Sequence, residues 1–233
     1  MTRLRALPGR VTRRVRRTGY AVTEYLARVA RHVPDGLVAL TFDDGPHPSS
    51  TIRVLDVLAE LDVRATFFCV GRNAQEHPEI LRRTLAEGHA VGSHSLTHPH
   101  PAETPLRELR REYREGHRAV SSVAGRDVPL FRPPHGHLKL GSAAIVRHQQ
   151  LGTWLWTVDP QDWRPGVTRD EVASVAAAAN SGDVVLLHDW VEQPWEARAL
   201  DRSATIEALP LIVRAVEQRG LRFTTLPTAG TTR

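Results

Sequence analysis

Two adjacent carboxylates are the first residues in this sequence that could do chemistry. Asp43 and Asp44 follow the apolar run Leu37-Val38-Ala39-Leu40 and precede Gly45-Pro46, a pattern typical of a buried parallel strand that ends in a turn. Because neighbouring negative charges beside an apolar core repel each other, the pair predicts a compensating cation or hydrogen-bond donors. Asp, Gly and Pro are also ordinary turn residues, so a turn without chemistry is the alternative.

Two histidines could bind such a cation. His94 and His98 follow the third predicted strand, and a single helical turn there would place both imidazoles on one side. With Asp44 they predict an Asp-His-His metal site that leaves positions open for water, as hydrolytic zinc sites require. The spacing alone is weak because the chain has 12 histidines. We interpret His100, directly beyond, as a loop residue.

Three further motifs each follow a predicted strand. In Arg132-Pro133-Pro134-His135-Gly136 the prolines would fix the Arg132 guanidinium, which could bind a carboxylate, although a structural turn is the alternative. Asp162 lies in Asp159-Pro160-Gln161-Asp162-Trp163, and His188 ends a later strand. A carboxylate bound to an imidazole raises the histidine pKa above about 6.5, which suits a general acid. A buried His188 bonded to a backbone carbonyl is the competing interpretation.

The elements that must position these residues alternate short apolar runs with amphipathic segments, which predicts βα units and a parallel sheet. We predict seven strands. The first begins at Leu37, and the other six span Ala65–Val70, Ala90–Ser93, Val128–Arg132, Thr153–Val158, Val184–His188 and Phe223–Leu226. Helical spacing predicts helices around 54–61, 78–87, 104–120, 168–180 and 206–216, with Thr104 and Thr168 as N-caps. Seven strands with intervening helices predict an irregular (β/α) barrel, whose active site lies beyond the strands' carboxyl ends.

The composition is that of an ordinary globular protein, with 41% hydrophobic and 24% charged residues in 233. No run of about 20 apolar residues occurs, so we predict no transmembrane segment. The single cysteine, Cys69, cannot form an internal disulfide and is predicted to be a small buried residue.

The basic character of the chain belongs to its first 35 residues. Nine arginines face two acids there, a balance of +7, whereas the rest of the chain carries 22 basic and 24 acidic residues. Thr12-Arg13-Arg14 superficially matches a twin-arginine export signal, but no apolar region or cleavage site follows it. We therefore expect a solvated, partly disordered leader and a cytoplasmic protein, with an extracytoplasmic location as the alternative. A helix bearing Val11, Val15, Val22, Leu26 and Val29 could instead contact the domain or an anionic surface.

Taken together, five ordered motifs in this sequence resemble those of the polysaccharide deacetylase family (NodB homology domain, carbohydrate esterase family four). They are Thr41-Phe42-Asp43-Asp44-Gly45-Pro46, His94-Ser95-Leu96-Thr97-His98, Arg132-Pro133-Pro134-His135-Gly136, Asp159-Pro160-Gln161-Asp162-Trp163 and Leu186-Leu187-His188. The resemblance covers about residues 36–227, which implies a NodB-like barrel between a leader, residues 1–35, and a tail, residues 228–233. Five motifs in order are far more specific than any one of them.

The resemblance implies a hydrolase that removes acetyl groups from an N-acetylated carbohydrate, an N-acetylglucosamine glycan in the first place. It implies one divalent metal ion, usually zinc with cobalt or nickel as possible substitutes, held by Asp44, His94 and His98. By the same similarity Asp43 is the general base, oriented by Arg132, and His188 is the general acid, held by Asp162. The backbone N–H of His135 would bind the oxyanion. Trp163 and Leu186 would surround the acetyl methyl group.

Two features depart from the family pattern. His135 stands where the family usually has an aromatic residue such as tyrosine, which leaves the substrate preference open. The segment from Asp189 to Arg202, with Trp190 and Trp195, does not match the family. Its indole rings could contact sugar or could pack the loop onto the domain.

Three other functions remain as alternatives. The same machinery could act on an acetylated small molecule or on O-acetyl sugars. A carbohydrate-binding pseudoenzyme is a non-enzymatic alternative, although the intact set of acid, base and ligand residues argues against it. Nucleic-acid binding is the weakest hypothesis, because the positive charge is confined to one end and has little aromatic interleaving; we predict no nucleic-acid partner.

Overall fold

A seven-stranded parallel sheet forms the centre of the structure. The computed structural model describes residues 21–227. Its strands are β1 (Leu37–Asp43), β2 (Thr66–Cys69), β3 (Ala90–Ser93), β4 (Leu130–Phe131), β5 (Gly152–Thr153), β6 (Val184–His188) and β7 (Arg222–Phe223). The order is β5-β4-β3-β2-β1-β6, and β7 pairs with the first residues of β1. Residues beyond β5 return to β6 through a bridge between Val158 and Val185, so the predicted irregular (β/α) barrel is confirmed.

Helices connect the strands and cover the outside of the sheet. They are α1 (Thr51–Glu60), α2 (Gly71–Glu76), α3 (Pro78–Ala86), α4 (Leu106–Ala124), α5 (Leu140–His148), α6 (Arg169–Ala176) and α7 (Ser203–Glu217), with 3₁₀ turns at Pro134–Gly136 and Ala197–Leu200. No helix within residues 21–227 is both long enough and apolar enough to cross a membrane. Parallel strands need crossover connections long enough to return the chain to the same edge of the sheet, and these helices supply them.

Strand β1 sorts its side chains between two environments. Successive residues of a strand point to opposite faces, so Val38, Leu40 and Phe42 join the core beneath the helices. Ala39 packs instead with Phe68 in a separate apolar cluster inside the barrel. The alternation directs Thr41 and Asp43 inward as well, where both meet the same arginine. The alternation of side chains along β1 thus directs the carboxylate of Asp43 into the barrel.

Several predicted element boundaries are wrong. The predicted strand over 153–158 shrinks to β5, because Leu155 N–H donates to Ala30 C=O and Arg31 binds the Trp156 carbonyl. Helix α4 begins after Pro105 rather than at Thr104, whose hydroxyl donates to the His100 carbonyl. Helix α6 has the predicted capping box but ends at Ala176. Helices α2 and α5 were not predicted.

The described part of the leader contacts the domain. Residues 21–27 are helical, and Ala27 packs in a cluster with Leu109 and Tyr113. Val22 and Leu26, in contrast, are 50% and 42% exposed, so the predicted apolar stripe does not face the domain at these two positions. The proposed stripe residues Val11 and Val15 lie outside the described residues.

Helix α4 approaches the loop after β3 so closely that only glycine fits. A Cβ atom on Gly116 would lie 2.2 Å from the carbonyl carbon of Ser95 and 2.6 Å from the nitrogen of Leu96. Both contacts are to backbone, which cannot move aside as a flexible side chain does. This loop carries His94 and His98, so the packing of α4 bears directly on the metal candidates.

Gly116→Ala is therefore expected to lower the free energy of unfolding by about 1–3 kcal/mol, the usual cost of overpacking. This loss exceeds the gain of up to about 1 kcal/mol that alanine brings to a helix. Displacement of the loop should also weaken the binding of a divalent metal ion by His94 and His98. Chemical denaturation and zinc titration measure the two effects, with Ser122→Ala in the same helix as the control. A variant as stable as the wild type would show that the loop yields without cost.

Candidate metal and catalytic site

The predicted site residues converge on one cavity at the carboxyl ends of the strands. The cavity has a volume of about 310 Å³. Eight of the ten predicted residues line it: Asp43, Asp44, His94, His98, His135, Trp163, Leu186 and His188. The other two, Arg132 and Asp162, are fully buried and bind lining residues from behind. The five motifs are thus brought together, as expected of loops that follow neighbouring strands of a barrel.

Asp44, His94 and His98 form a compact set of metal-ligand atoms. One atom from each residue lies within 4.8 Å of the other two, and all three residues are buried. The Nε2 atoms of His94 and His98 lie 3.4 and 3.3 Å from Asp44 Oδ1. The loop that carries the histidines is not the helical turn considered above. Ser95 and His98 have φ angles of 67° and 58°, and this left-handed bend brings the imidazoles together.

The donor set fits a divalent cation. Asp44 Oδ1 is buried and accepts no hydrogen bond, although a buried carboxylate oxygen normally has a partner. His94 Nδ1 lies 2.8 Å from the Arg132 carbonyl, which can only accept, so Nδ1 carries the proton and Nε2 offers its lone pair towards Asp44. Two imidazoles with one carboxylate suit zinc and related divalent metals. The structure therefore supports a divalent metal here, held by Asp44, His94 and His98.

Electrostatics keep these groups in the protonation states that metal binding requires. Burial lowers the pKa of His98 to about 4, so its imidazole is neutral near pH 7. Burial opposes the charge on Asp44, but at the acid pH where Asp44 would take up a proton, the charged imidazoles of His98 and His188 outweigh burial and hold the pKa of Asp44 well below its ordinary value. A metal must displace protons from its ligands, and neither Asp44 nor His98 carries one that needs displacing near pH 7.

His98→Ala is expected to weaken zinc binding by more than a hundredfold, because even partners behind a ligand change affinity 10- to 100-fold. The affinity is measured by competition with a fluorescent zinc chelator, together with the zinc content of the dialysed protein. His148→Ala removes an exposed imidazole at the end of α5 and should bind zinc like the wild type. Equal affinities for the His98 variant and the wild type would rule out this ligand set.

Arg132 holds Asp43 in place. Its Nη1 donates to Asp43 Oδ1 at 2.7 Å and to Thr41 Oγ1 at 2.9 Å, while Nε donates to the Trp154 carbonyl at 3.3 Å. The guanidinium lies over the Phe68 ring at 4.2 Å, where a cation is attracted to the ring face. Burial lowers the pKa of Arg132, but a guanidinium stays charged. Asp43 Oδ2 is left facing His94 Nε2 at 3.7 Å and the cavity.

Asp162 holds His188 on the opposite wall. Its Oδ1 lies 2.8 Å from His188 Nδ1, and its Oδ2 accepts from the His188 backbone N–H at 2.9 Å and from Thr205 Oγ1 at 2.8 Å. Burial disfavours a charged His188, but the charge of Asp162 and its hydrogen bond outweigh burial and raise the pKa of His188 to about 9. The imidazole is thus protonated near neutrality and keeps Nε2 for the cavity.

His135 lies where the 3₁₀ turn after β4 reaches the cavity. Its φ of 56° is left-handed, and its ring lies 4.6 Å from the rings of both His98 and His100. Burial and these neighbouring imidazoles lower its pKa to about 3, so the ring is neutral. His100 belongs to a loop, as interpreted, but packs against the site.

Two residues of the site were not found from the sequence. The Asn73 side chain donates to the Asp44 carbonyl at 2.9 Å and to Glu192 Oε2 at 3.0 Å. The Glu192 backbone N–H donates to Asp44 Oδ2 at 2.8 Å. A backbone donor leaves no sequence signal, and Asn73 lies in helix α2, which was not predicted. The segment around Glu192 was singled out only as a departure from the family.

Comparison with known proteins agrees with the geometry. The sequence model described as polysaccharide deacetylase matches residues 30–153. This chain belongs to the polysaccharide deacetylase family. The family match and the five motifs of the sequence thus lead to the same assignment, and the relatives named below are hydrolases that act on carbon–nitrogen bonds other than peptide bonds.

Two curated relatives and one solved structure show how far the similarity extends. A chitooligosaccharide deacetylase of Bradyrhizobium sp. (strain ANU 289) is 41% identical over 82% of this polysaccharide deacetylase chain and 89% of its own length. A peptidoglycan-N-acetylglucosamine deacetylase of Bacillus cereus is 35% identical over 90% and 92%. The crystal structure of a peptidoglycan N-acetylglucosamine deacetylase superposes with a TM-score of 0.80 and 32% identity, covering 92% of this chain and 97% of that one.

Proposed function

We propose that this protein is a zinc-dependent deacetylase that hydrolyses the acetamido group of N-acetylglucosamine residues in a glycan. One observation carries the proposal: a carboxylate held by an arginine, an Asp-His-His ligand set and an imidazole held by a carboxylate share one cavity. Hydrolysis of an amide needs all three functions, namely a base, an electrophile and an acid. The relatives named above act on chitooligosaccharides and on peptidoglycan N-acetylglucosamine, which supports the choice of substrate.

The chemistry divides between the two walls of the cavity. When bound, the metal polarises the amide carbonyl and lowers the pKa of water. Asp43, kept oriented by Arg132, takes a proton from the attacking water at Oδ2. His188 gives the proton on Nε2 to the amide nitrogen, because an amide anion is too basic to leave. The C–N bond breaks, and acetate and a free amino sugar are the products.

The other cavity residues position the substrate. The backbone N–H of His135 would donate to the carbonyl oxygen as negative charge develops on it, which is the usual source of stabilisation in acyl transfer. Trp163 and Leu186 line the same cavity and would enclose the acetyl methyl group. Their apolar surfaces exclude water from that position, so that the acetyl group enters in one orientation.

Acetate release by the zinc-loaded protein tests the proposal. The substrates are N-acetylglucosamine oligomers, peptidoglycan, acetylated xylan and small N-acetyl compounds, and the apo protein is the blank. Zinc-dependent release from an N-acetyl glycan is the expected result. Release only from xylan would assign the site to O-acetyl sugars, and release only from small compounds would assign it to a dedicated amidase. A zinc-loaded protein that binds glycan without turnover would be a pseudoenzyme.

We also propose that the basic leader brings the enzyme to an anionic surface. The support is its charge, nine arginines against two acids in the first 35 residues, since each basic residue near an anionic membrane contributes about 1 kcal/mol. The cytoplasmic location stays a prediction.

A further inference from the structure

The loop between β6 and α7, residues 189–202, forms one wall of the cavity. We call it the rim loop. Five consecutive residues of it, from Val191 to Trp195, line the cavity. This is the segment that departs from the family pattern, so what it contributes is a property of this chain rather than of the shared catalytic motifs. None of the five has been given a part in the reaction above.

The rim loop is held at its start, centre and end. Asp189 accepts hydrogen bonds from the Gly45 backbone and the Thr51 hydroxyl. In the centre the Glu192 N–H binds Asp44, and the Gln193 side chain donates to the Thr97 carbonyl at 3.2 Å.

At the end of the rim loop Ala199 is fully buried, and Arg202 Nη1 donates to the Asp162 carbonyl at 2.9 Å. The anchors at both ends and in the centre leave the segment between them in a fixed position beside the ligand set. A side chain presented from it is pre-organised, which reduces the entropic cost of binding a ligand.

Trp195 is presented from this fixed loop and is 62% exposed. Its ring meets Trp163, which lines the cavity, edge to face at a centroid distance of 5.4 Å and an angle of 74°. An indole that served to pack the loop would be buried, since apolar surface gains about 25 cal/mol for each Å² removed from water. Trp190 of the same loop does pack, with its ring stacked on His47 at 3.6 Å. Trp195 keeps its ring in solvent at the mouth of the cavity.

The size of the cavity makes the rim part of the binding surface for any oligomer. A volume of about 310 Å³ is at the lower end for ligand pockets. It suits the sugar that carries the reacting acetamido group, so the neighbouring sugars of an oligomer must extend across the mouth. Pyranose rings present C–H groups on their flat faces, and an exposed indole is the side chain that offers such a face the largest rigid apolar area.

We infer that Trp195 binds the sugar next to the one that loses its acetyl group, and so sets a preference for oligomers over single N-acetylhexosamines. This inference rests on the proposed function and adds a second binding site to it. Trp195 does not touch the reacting atoms; it acts on the affinity of the substrate. Its loss should therefore raise KM for long substrates and leave kcat unchanged.

Kinetics on substrates of different length test the inference. With zinc-loaded full-length protein, Trp195→Ala should raise KM for the N-acetylglucosamine tetramer about three- to tenfold, as expected for an aromatic contact worth about 0.5–1.5 kcal/mol. KM for the monomeric sugar, kcat and zinc content should not change. Trp195→Phe should restore most of the lost affinity. Leu140→Ala, which truncates a 60% exposed residue outside the cavity, is the matched control. A KM unchanged for the tetramer, or raised equally for monomer and tetramer, overturns the inference.

A binding measurement separates this inference from the proposed function. Calorimetric titration of the tetramer into zinc-loaded Asp43→Asn protein, with and without Trp195→Ala, needs no turnover. Weaker binding by the double variant supports a sugar-binding site at Trp195 even if the wild type hydrolyses nothing, in which case only the proposed function fails. Equal Kd values, or no binding of the tetramer by either protein, overturn the inference.

Discussion

Asp43→Asn is expected to lower kcat for acetate release about 10²- to 10⁴-fold, the range typical of a lost general base. The amide cannot take a proton from water, but its oxygen can still accept the hydrogen bond from Arg132, which is 2.7 Å long in the wild type. The position of the side chain should therefore survive while its basicity disappears. Acetate release and zinc affinity, measured on the same preparation, distinguish a lost base from a lost metal.

The substitution also carries an energetic cost, which the experiment must separate from catalysis. Arg132 is fully buried, and removing the charge of its partner should lower the free energy of unfolding by about 3–5 kcal/mol. Thermal unfolding establishes that the variant is folded at the assay temperature. Asp56→Asn removes an exposed carboxylate from α1 and should leave kcat unchanged. A folded, zinc-loaded Asp43→Asn protein with activity within tenfold of wild type would require another base.

Asp162→Asn is expected to move the alkaline limb of the profile of kcat/KM against pH towards lower pH. In the wild type Asp162 raises the pKa of His188 to about 9, so the acid form persists through neutrality. Without that charge the pKa should fall to about 6.5 or below. At pH 8 the protonated fraction would then be about 3%, so activity should drop about 30-fold. Rates from pH 6 to 10 on the zinc-loaded protein measure the limb.

The same pair makes a matching prediction for stability. Because the folded-state pKa of His188 exceeds about 6.5, its protonation stabilises the fold fully below that pH, and the contribution is lost as the pH rises through about 9. Asp162→Asn should remove this dependence. Asp170→Asn, an exposed carboxylate of α6, should change neither profile. An unaltered alkaline limb in the Asp162 variant would mean that His188 is not the acid.

Much of the barrel could be predicted because its central strands are buried on both faces. Strands β1 and β6 appear in the sequence as continuous apolar runs, and a strand with no polar face gives that pattern. The run from Thr153 to Val158 is equally apolar and aromatic, yet only its first residue is in a strand, since it bonds to Ala30 and Arg31. Contacts with distant residues leave no local periodicity, which is why this boundary was wrong.

Most of the ionisable side chains that the structure brings to the cavity, and its two ion pairs, could be named from the sequence, whereas their roles stay predictions. These side chains are carboxylates, imidazoles and one guanidinium, whose residue types indicate metal binding and ion pairing. Among them are the Asp-His-His ligand set and the pairs Arg132–Asp43 and Asp162–His188. The side chain of Asn73, which donates to the Asp44 carbonyl, could not be predicted because helix α2 was not, and the rest of what was missed depends on backbone geometry. The left-handed conformation of His98 and the amide of Glu192 depend on the course of the chain, and the sequence does not encode them in any particular residue type.

The amide of Glu192 has a consequence for how this enzyme could diversify. The rim loop holds the metal ligand Asp44 through a backbone N–H, which every amino acid except proline provides. The loop that would contact the substrate is thus connected to Asp44, which would bind the metal, by the backbone N–H of residue 192, and any substitution other than proline keeps that donor. Substitutions at Trp195 or its neighbours, away from the anchoring side chains of Asp189 and Arg202, would change the surface that meets the glycan and leave the hydrogen bond to Asp44 in place. Grafting rim loops between relatives is a direct route to new specificities.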